Sequence, residues 1–268
     1  MLILPRVYDR ISESEKKMNL RIGTFNICHC GDYSKHSIND PFELYNVNIE
    51  QTANTIKELN CDIIGLNEVY NDGSDSSIDF KNQTEKLANL SGYKYYYYAQ
   101  GHDHGWTDIG NAVFSKYPII KFTKILVPTI PECEQKKDKE YENRVFAIAY
   151  IEIDGRIIKF ISTHFGLEQI ELNRIVKKCC QIIDDSKYSV ILAGDFNITP
   201  QNTLIKKIDE RLKSCALEMG NDEFTFASYN PNRHIDYIYV PKNSKVLSYT
   251  VHKIKSSDHF PITADIDI

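Results

Sequence analysis

Asp195 and Asn197 stand two residues apart, directly after the apolar run Val190-Ile191-Leu192-Ala193 and Gly194. Such a run is too short for a helix and reads as a strand buried on both faces. In extended chain, residues i and i+2 point to one side, so the carboxylate and the amide face one place. That place is the carboxyl end of a core strand, where open α/β sheets put their ligands. An Asx-turn closing the strand uses the same residue types, and this spacing alone leaves both readings open. The pattern recurs, however. Asn26 follows Leu20-Arg21-Ile22-Gly23-Thr24-Phe25, and Glu68 follows Cys61-Asp62-Ile63-Ile64-Gly65-Leu66-Asn67. His164 follows Ile157-Ile158-Lys159-Phe160-Ile161-Ser162-Thr163, and Asp258-His259 stand together near the end of the chain. Carboxylate and amide oxygens are hard ligands that suit Mg2+ or Mn2+, with water and a substrate phosphate completing the shell. No Cys or His cluster at metal spacing competes for a softer ion. An Asp–His pair makes a general base, the carboxylate fixing the imidazole tautomer.

These residues need strands to deliver them and helices to cover the strands. Ile49, Ala53, Ile56 and Leu59 recur at helical spacing, predicting a helix over 47–59. Strand 20–25, this helix and the strand at 61–66 form a βαβ unit, so the two strands are parallel. Residues 71–79 read as a polar loop, and 82–90 as a second helix. The stretch 93–98 holds five tyrosines and one lysine, which predicts a strand packed on one face rather than a platform for bases. His102, Asp103, His104, Trp106 and Asp108 lie in 101–110, read as a loop near the site that grips substrate. The His102-x-His104 pair lacks partners at structural-zinc spacing. Residues 110–115 make a further strand, and 128–142 a charged connector. Asp154-Gly155 closes a hairpin between 144–153 and 156–163. Ile170, Ile175, Val176, Cys179, Ile182 and Ile183 mark a helix, with a short one over 204–212. The last quarter is strand-rich, at 235–240, 246–254 and 262–268.

The composition fits these elements. A chain of 268 residues with 42% hydrophobic and 26% charged residues suffices for a large α/β domain. A net charge of −5 argues against a protein that coats nucleic acid through a basic surface. Seven cysteines, an odd number without regular spacing, predict reduced thiols and a cytoplasmic location. Met1-Leu2-Ile3-Leu4-Pro5 is too short for a signal segment and Glu13-Ser14-Glu15-Lys16-Lys17 is a charge run. Residues 1–18 are therefore expected to be a tail and 19–268 a single domain. No window approaches a membrane span. A monomer is expected.

Taken together, Thr24-Phe25-Asn26, Leu66-Asn67-Glu68, Gly110-Asn111-Ala112-Val113-Phe114-Ser115-Lys116-Tyr117-Pro118, Ser162-Thr163-His164, Gly194-Asp195-Phe196-Asn197, Ile235-Asp236-Tyr237-Ile238 and Ser257-Asp258-His259 resemble the endonuclease/exonuclease/phosphatase superfamily. Its members include deoxyribonuclease I, exonuclease III-like repair nucleases, neutral sphingomyelinases and inositol polyphosphate 5-phosphatases. The resemblance implies a four-layer α/β sandwich, with two mixed β-sheets face to face and helices outside. It implies Glu68 as the main metal ligand, assisted by Asn26, with Asp258 a second or water-mediated one. His259, oriented by Asp236, resembles the family's general base or phosphate-polarising histidine. Asp195 and Asn197 match residues that position water and bind phosphate. His164 looks like the histidine that stabilises phosphoryl oxygens or the leaving group outside the exonuclease III branch. Arg144 matches an arginine expected to contact phosphate. The chain looks most like small bacterial metal-dependent hydrolases of this superfamily. The expected activity is Mg2+-dependent (or Mn2+-dependent) hydrolysis of a phosphate ester that is a small molecule, a lipid headgroup or nucleic acid. A DNA-directed nuclease of the repair type ranks second, and an inactive binding module on the same fold is remote because every motif position is filled.

Overall fold

The structure, a computed structural model, describes residues 17–34, 47–73, 82–105, 107–139 and 141–268. Nearly all of the expected tail (1–16), most of the 71–79 loop, Trp106 and Glu140 lie outside the described residues. Met18 is not part of a tail: it is buried and exchanges both backbone hydrogen bonds with Ile268.

Among the described residues, twelve strands run in chain order: β1 (Asn19–Asn26), β2 (Ile63–Gly73), β3 (Tyr95–Asp103), β4 (Thr107–Ser115), β5 (Ile119–Val127), β6 (Arg144–Ile153), β7 (Arg156–His164), β8 (Ser189–Asp195), β9 (Leu212–Ser214), β10 (Asp236–Pro241), β11 (Lys245–Val251) and β12 (Ile262–Asp267). Five α-helices accompany them among the described residues: α1 (Ile49–Leu59), α2 (Gln83–Ser91), α3 (Gln169–Asp184), α4 (Ile205–Asp209) and α5 (Cys215–Glu218). One six-stranded sheet has the order β11-β12-β1-β2-β4-β3, the other β5-β6-β7-β8-β10-β9. Both are mixed: β1 pairs parallel with β2, as the βαβ reading requires, and β7 parallel with β8, while their other neighbours are antiparallel.

Three apolar clusters define the layers. Ile22, Ile63, Val113 and Ala264 of the first sheet meet Ala147, Phe160, Ile191 and Ile238 of the second in a shared core. The opposite face of the first sheet packs Phe25, Leu66 and Phe114 against Ala53 and Ile56 of α1 and Leu87 of α2. On the second sheet, Ile161 and Leu192 pack against Ile175, Val176 and Cys179 of α3 and Ile208 of α4. The result is the expected helix–sheet–sheet–helix sandwich.

Two local expectations change, and one strand, β5, has none. The stretch 101–110 is a hairpin, not a loop: Asp103 pairs with Asp108 and Gln100 with Gly110 across β3 and β4. Tight hairpins carry the same glycines and aspartates as loops, so composition does not separate the two. Strand β5 is an edge strand whose Ile120, Phe122 and Leu126 are exposed, which blurs its alternation; Phe122 instead stacks on Tyr97 of the other sheet at 3.9 Å. Strand β2 continues past its expected end, with a bulge between Leu66 and Val69 that sets Glu68 at φ 54°. A bulge re-aims one side chain without ending the strand.

Gly194 sits at φ 151°, where an added Cβ would run into the Thr163 carbonyl of the adjacent strand. Gly194→Ala is therefore expected to cost about 3 kcal/mol of stability. Denaturant unfolding checks this: the midpoint should fall with an unchanged slope, and an unshifted midpoint would contradict it.

Candidate active site

Strand register assembles the site. In the second sheet, His164 lies opposite Asp195 across the parallel β7–β8 pair, and Asp236 opposite Asp195 across the antiparallel β8–β10 pair. In the first sheet, Asn26 lies opposite Asn67 across β1–β2, with Glu68 next in line. The carboxyl ends of β1, β7 and β8 thus share one edge of the sandwich with the amino ends of β6 and β10 and the Ser257-Asp258-His259 segment before β12.

Asn26 Nδ2 is the meeting point. It donates to Glu68 Oε1 at 2.8 Å and Asp195 Oδ2 at 3.1 Å, and lies 3.5 Å from His259 Nε2. Its Oδ1 accepts the Cys28 backbone N–H at 3.0 Å. As placed, Asn26 therefore orients carboxylates; turned over, its oxygen faces the same point. His259 Nδ1 is 2.9 Å from Asp236 Oδ2, the expected Asp–His pair, and its Nε2 is 3.5 Å from Asp195 Oδ2. Asp195 Oδ1 accepts the Asn197 backbone N–H at 2.8 Å. The Asn197 side chain donates to Phe165 O at 3.1 Å and lies 2.9 Å from His164 Nε2. Ser257 Oγ lies 3.1 Å from Asp258 Oδ1 and donates to Asn26 O at 2.8 Å, tying the Asp258 segment to the end of β1. Every site residue expected from the sequence is thus found at this edge.

Arg144 is nearly buried. It bonds Glu142 at 3.0 Å and approaches His164 Nδ1 at 3.2 Å. Glu142 in turn meets His104 of the hairpin tip at 3.5 Å, so the 101–110 segment reaches the site through charge. A guanidinium only donates, and its charged bond is the stronger of the two reaching His164. Arg144 at Nδ1 and the Asn197 amide at Nε2 both approach as donors, of which a neutral imidazole accepts one. Nε2 also lies 3.5 Å from Asp195 Oδ2.

The electrostatics are those of a crowded, partly dried pocket. Burial, then Asp258, pushes the Glu68 carboxyl up to about 7, although 24% of its side chain stays open. Burial also pushes Asp195 up to about 6, against the pull of His259. Burial opposes charge on His259, but Asp236 and Asp195 outweigh it and raise its pKa well above the usual value. Burial and Arg144 hold His164 well below, hence neutral. Glu142 is the opposite case: burial raises it, yet His104, Arg144 and His164 bring it down to about 2.

Sequence reasoning missed the buried amides beneath this layer. Asn67 donates to Asn111 Oδ1 at 2.8 Å and Thr163 O at 3.1 Å, and accepts the Asp195 backbone N–H at 3.1 Å. Asn111 donates to Val145 O at 2.7 Å. Together they stitch the sheets to each other under the carboxylates. Their signal was a lone amide inside an otherwise apolar strand. Also missed were Cys28 and His29, whose sulfur and imidazole lie within 4.8 Å of Glu68. A cavity of about 490 Å3 is lined by none of the site residues described above. Thr199, Ile205, Leu217, Phe224, His234 and Tyr237 are among its walls.

The fold and site define a class. The Endonuclease/Exonuclease/phosphatase family matches residues 23–259, and the chain belongs to that family, one of phosphoric ester hydrolases. No curated protein matches the chain in sequence. Solved structures share the fold. An endonuclease/exonuclease/phosphatase from Beutenbergia cavernae is 20% identical with a TM-score of 0.73, over 93% of this chain and 72% of that one. The mannosyl-6-phosphatase Bt3783 of Bacteroides thetaiotaomicron is 17% identical with a TM-score of 0.65, over 92% and 99%. ANGEL2, a 2′,3′-cyclic phosphatase, is 15% identical with a TM-score of 0.66, over 94% and 95%.

The donor set fits a divalent cation: a carboxylate burdened by burial and by a neighbouring carboxylate is relieved by positive charge. The folded, metal-free chain keeps Glu68 protonated to higher pH than the unfolded chain, so its contribution to stability falls as pH rises from 4.5 to about 7. Glu68→Gln should therefore stabilise the metal-free protein more near neutral pH than below pH 4.5, by on the order of 2 kcal/mol. Thermal melts in chelator test this, and an equal gain at both pH values would contradict it.

Proposed function

We propose that the chain is a Mg2+-dependent (or Mn2+-dependent) phosphoesterase that hydrolyses a phosphodiester, or a phosphomonoester, by in-line attack of water. One observation carries this reading: Glu68, Asp195 and His259, from three distant parts of the chain, touch a single atom, Asn26 Nδ2, within 3.5 Å. Glu68, Asp258 and a turned Asn26 would hold the cation. When bound, it neutralises charge on the phosphoryl oxygens and stabilises the leaving oxygen.

The chain's own groups do the rest. An imidazolium between two carboxylates donates rather than accepts, so His259, held charged by Asp236 and Asp195, gives its Nε2–H to a phosphoryl oxygen. The sequence reading assigned proton removal to His259–Asp236. The raised pKa of His259 favours Asp195 for that step: its carboxyl, poised at about 6, takes the proton of the attacking water. Asn197 offers a side-chain N–H to charge that grows in the transition state, with His164 beside it at 2.9 Å. Arg144, engaged with Glu142 and His164, acts on the phosphate through His164 rather than by direct contact.

The named activities of two structural neighbours, a mannosyl-6-phosphatase and a 2′,3′-cyclic phosphatase, are both phosphoester hydrolyses and support that reaction class here. The net charge of −5 keeps a DNA-directed nuclease second. No helix among the described residues is long and apolar enough to cross a membrane. All seven cysteines are free thiols, which supports a reducing, cytoplasmic setting.

Asp195→Asn and His259→Ala should each lower turnover by about 10²- to 10⁴-fold. Asp195→Asn should also remove the acidic limb of the kcat/KM profile, whereas His259→Ala should keep it. Assays on aryl phosphate mono- and diesters, 2′,3′-cyclic nucleotides and plasmid DNA, with Mg2+ or chelator, test this. Loss of the limb in His259→Ala alone would reverse the two roles, and Mg2+-independent turnover would overturn the proposal.

A further inference from the structure

Directly after β1 the chain makes a turn of 3-10 helix, Cys28–Cys30, in which all three residues adopt left-handed backbone, at φ 40°, 45° and 65°. For non-glycine residues each such conformation is unfavourable, and three in succession is a local structure that something else must justify. Its effect is to turn Cys28 and His29 toward Glu68 while Asn26 Oδ1 anchors the Cys28 backbone N–H. The Cys28 sulfur, a His29 ring nitrogen and a Glu68 oxygen then lie within 4.8 Å of one another. Cys28 and His29 are 5% and 8% exposed, and Glu68, the more open member, faces the catalytic edge. The mechanism above uses neither the sulfur nor this imidazole.

Thiolate plus imidazole plus carboxylate is the wrong donor set for Mg2+ and a right one for zinc-class ions. We propose that Cys28, His29 and Glu68 form a second cation site, selective for a thiophilic divalent ion of the zinc class. On binding, the ion forms a bond to Cys28 Sγ and the thiol proton leaves to solvent, so the step is balanced without a redox partner. Tyr33 Oη, 3.1 Å from that sulfur, is placed to donate to the thiolate. Glu68 belongs to both sites, so a zinc-class ion withdraws the principal ligand from the Mg2+ position and shuts the enzyme down. That last consequence rests on the phosphoesterase reading; the site itself does not.

Cobalt(II) tests the site without any turnover. Full-length protein carrying Cys133→Ser, which removes the exposed thiol, is titrated with Co2+ and read by near-ultraviolet absorption. The expected result is a sulfur-to-cobalt charge-transfer band that saturates at a single equivalent, is bleached by Zn2+ but not by Mg2+, and is lost in Cys28→Ser. Cys30→Ser should keep the band. Glu68→Gln should keep it but weaken Co2+ binding by about 10-fold or more; this variant decides the matter should Cys28→Ser fail to fold. No band, a band that follows Cys30, or an unchanged Co2+ midpoint in Glu68→Gln overturns the proposal. If the band behaves as expected and phosphoesterase activity is absent, only the inhibitory consequence fails.

Discussion

Four carboxylates, Glu68, Asp195, Asp236 and Asp258, are gathered at one edge of a sandwich whose interior is dry, and this crowding is what the rest of the structure is built to sustain. Asp195 and Asp236 are 1% exposed and directly opposite each other across β8 and β10. Like charges so placed cannot all ionise without compensation. The protein supplies part of it: the imidazolium of His259 between Asp236 and Asp195, and the Asn26 amide between Glu68 and Asp195. On the reading proposed above, the remainder falls to a divalent cation from solution, and the phosphate it carries would complete the balance.

Holding such a cluster requires a rigid floor. Asn67 and Asn111 provide it by hydrogen bonding across the gap between the sheets, where most contacts are apolar and non-directional. Buried amides with every polar atom engaged fix relative position more sharply than side chains such as Ile63 or Phe160, which tolerate small slides. The floor also explains why the parallel pairs β1–β2 and β7–β8 sit centrally: their carboxyl ends emerge side by side, and the antiparallel β10 adds Asp236 from its amino end. Behind His164, the chain Arg144–Glu142–His104 links the β3–β4 hairpin to the site, so a segment remote from the carboxylates shares in its electrostatics.

Much of this was legible in the residues. Buried strands ending in Asn26, Glu68, His164 and Asp195 gave the site, since apolar runs followed by a polar exit are short-range signals. The βαβ unit and the Asp154-Gly155 hairpin were legible for the same reason. What escaped was decided by partners distant in sequence. The edge strand β5 has half-exposed apolar residues because Phe122 packs against Tyr97 of the opposite sheet. The bulge at Glu68 depends on its pairing with β4. The proximity of Cys28 and His29 to Glu68 depends on three left-handed residues that no local pattern encodes. The partners of Arg144 also lay out of reach of any local pattern: it pairs with Glu142 and approaches His164.

The central claim is that residues far apart in the chain converge on one divalent ion at the sandwich edge. Anomalous diffraction from crystals soaked in Mn2+ tests it most directly. The account predicts a peak about 2.2 Å from a Glu68 carboxylate oxygen, on the side facing Asp258 and Asn26 and within reach of a phosphoryl group held by His259. A strong peak elsewhere, with Glu68 left uncoordinated at saturating Mn2+, would contradict it.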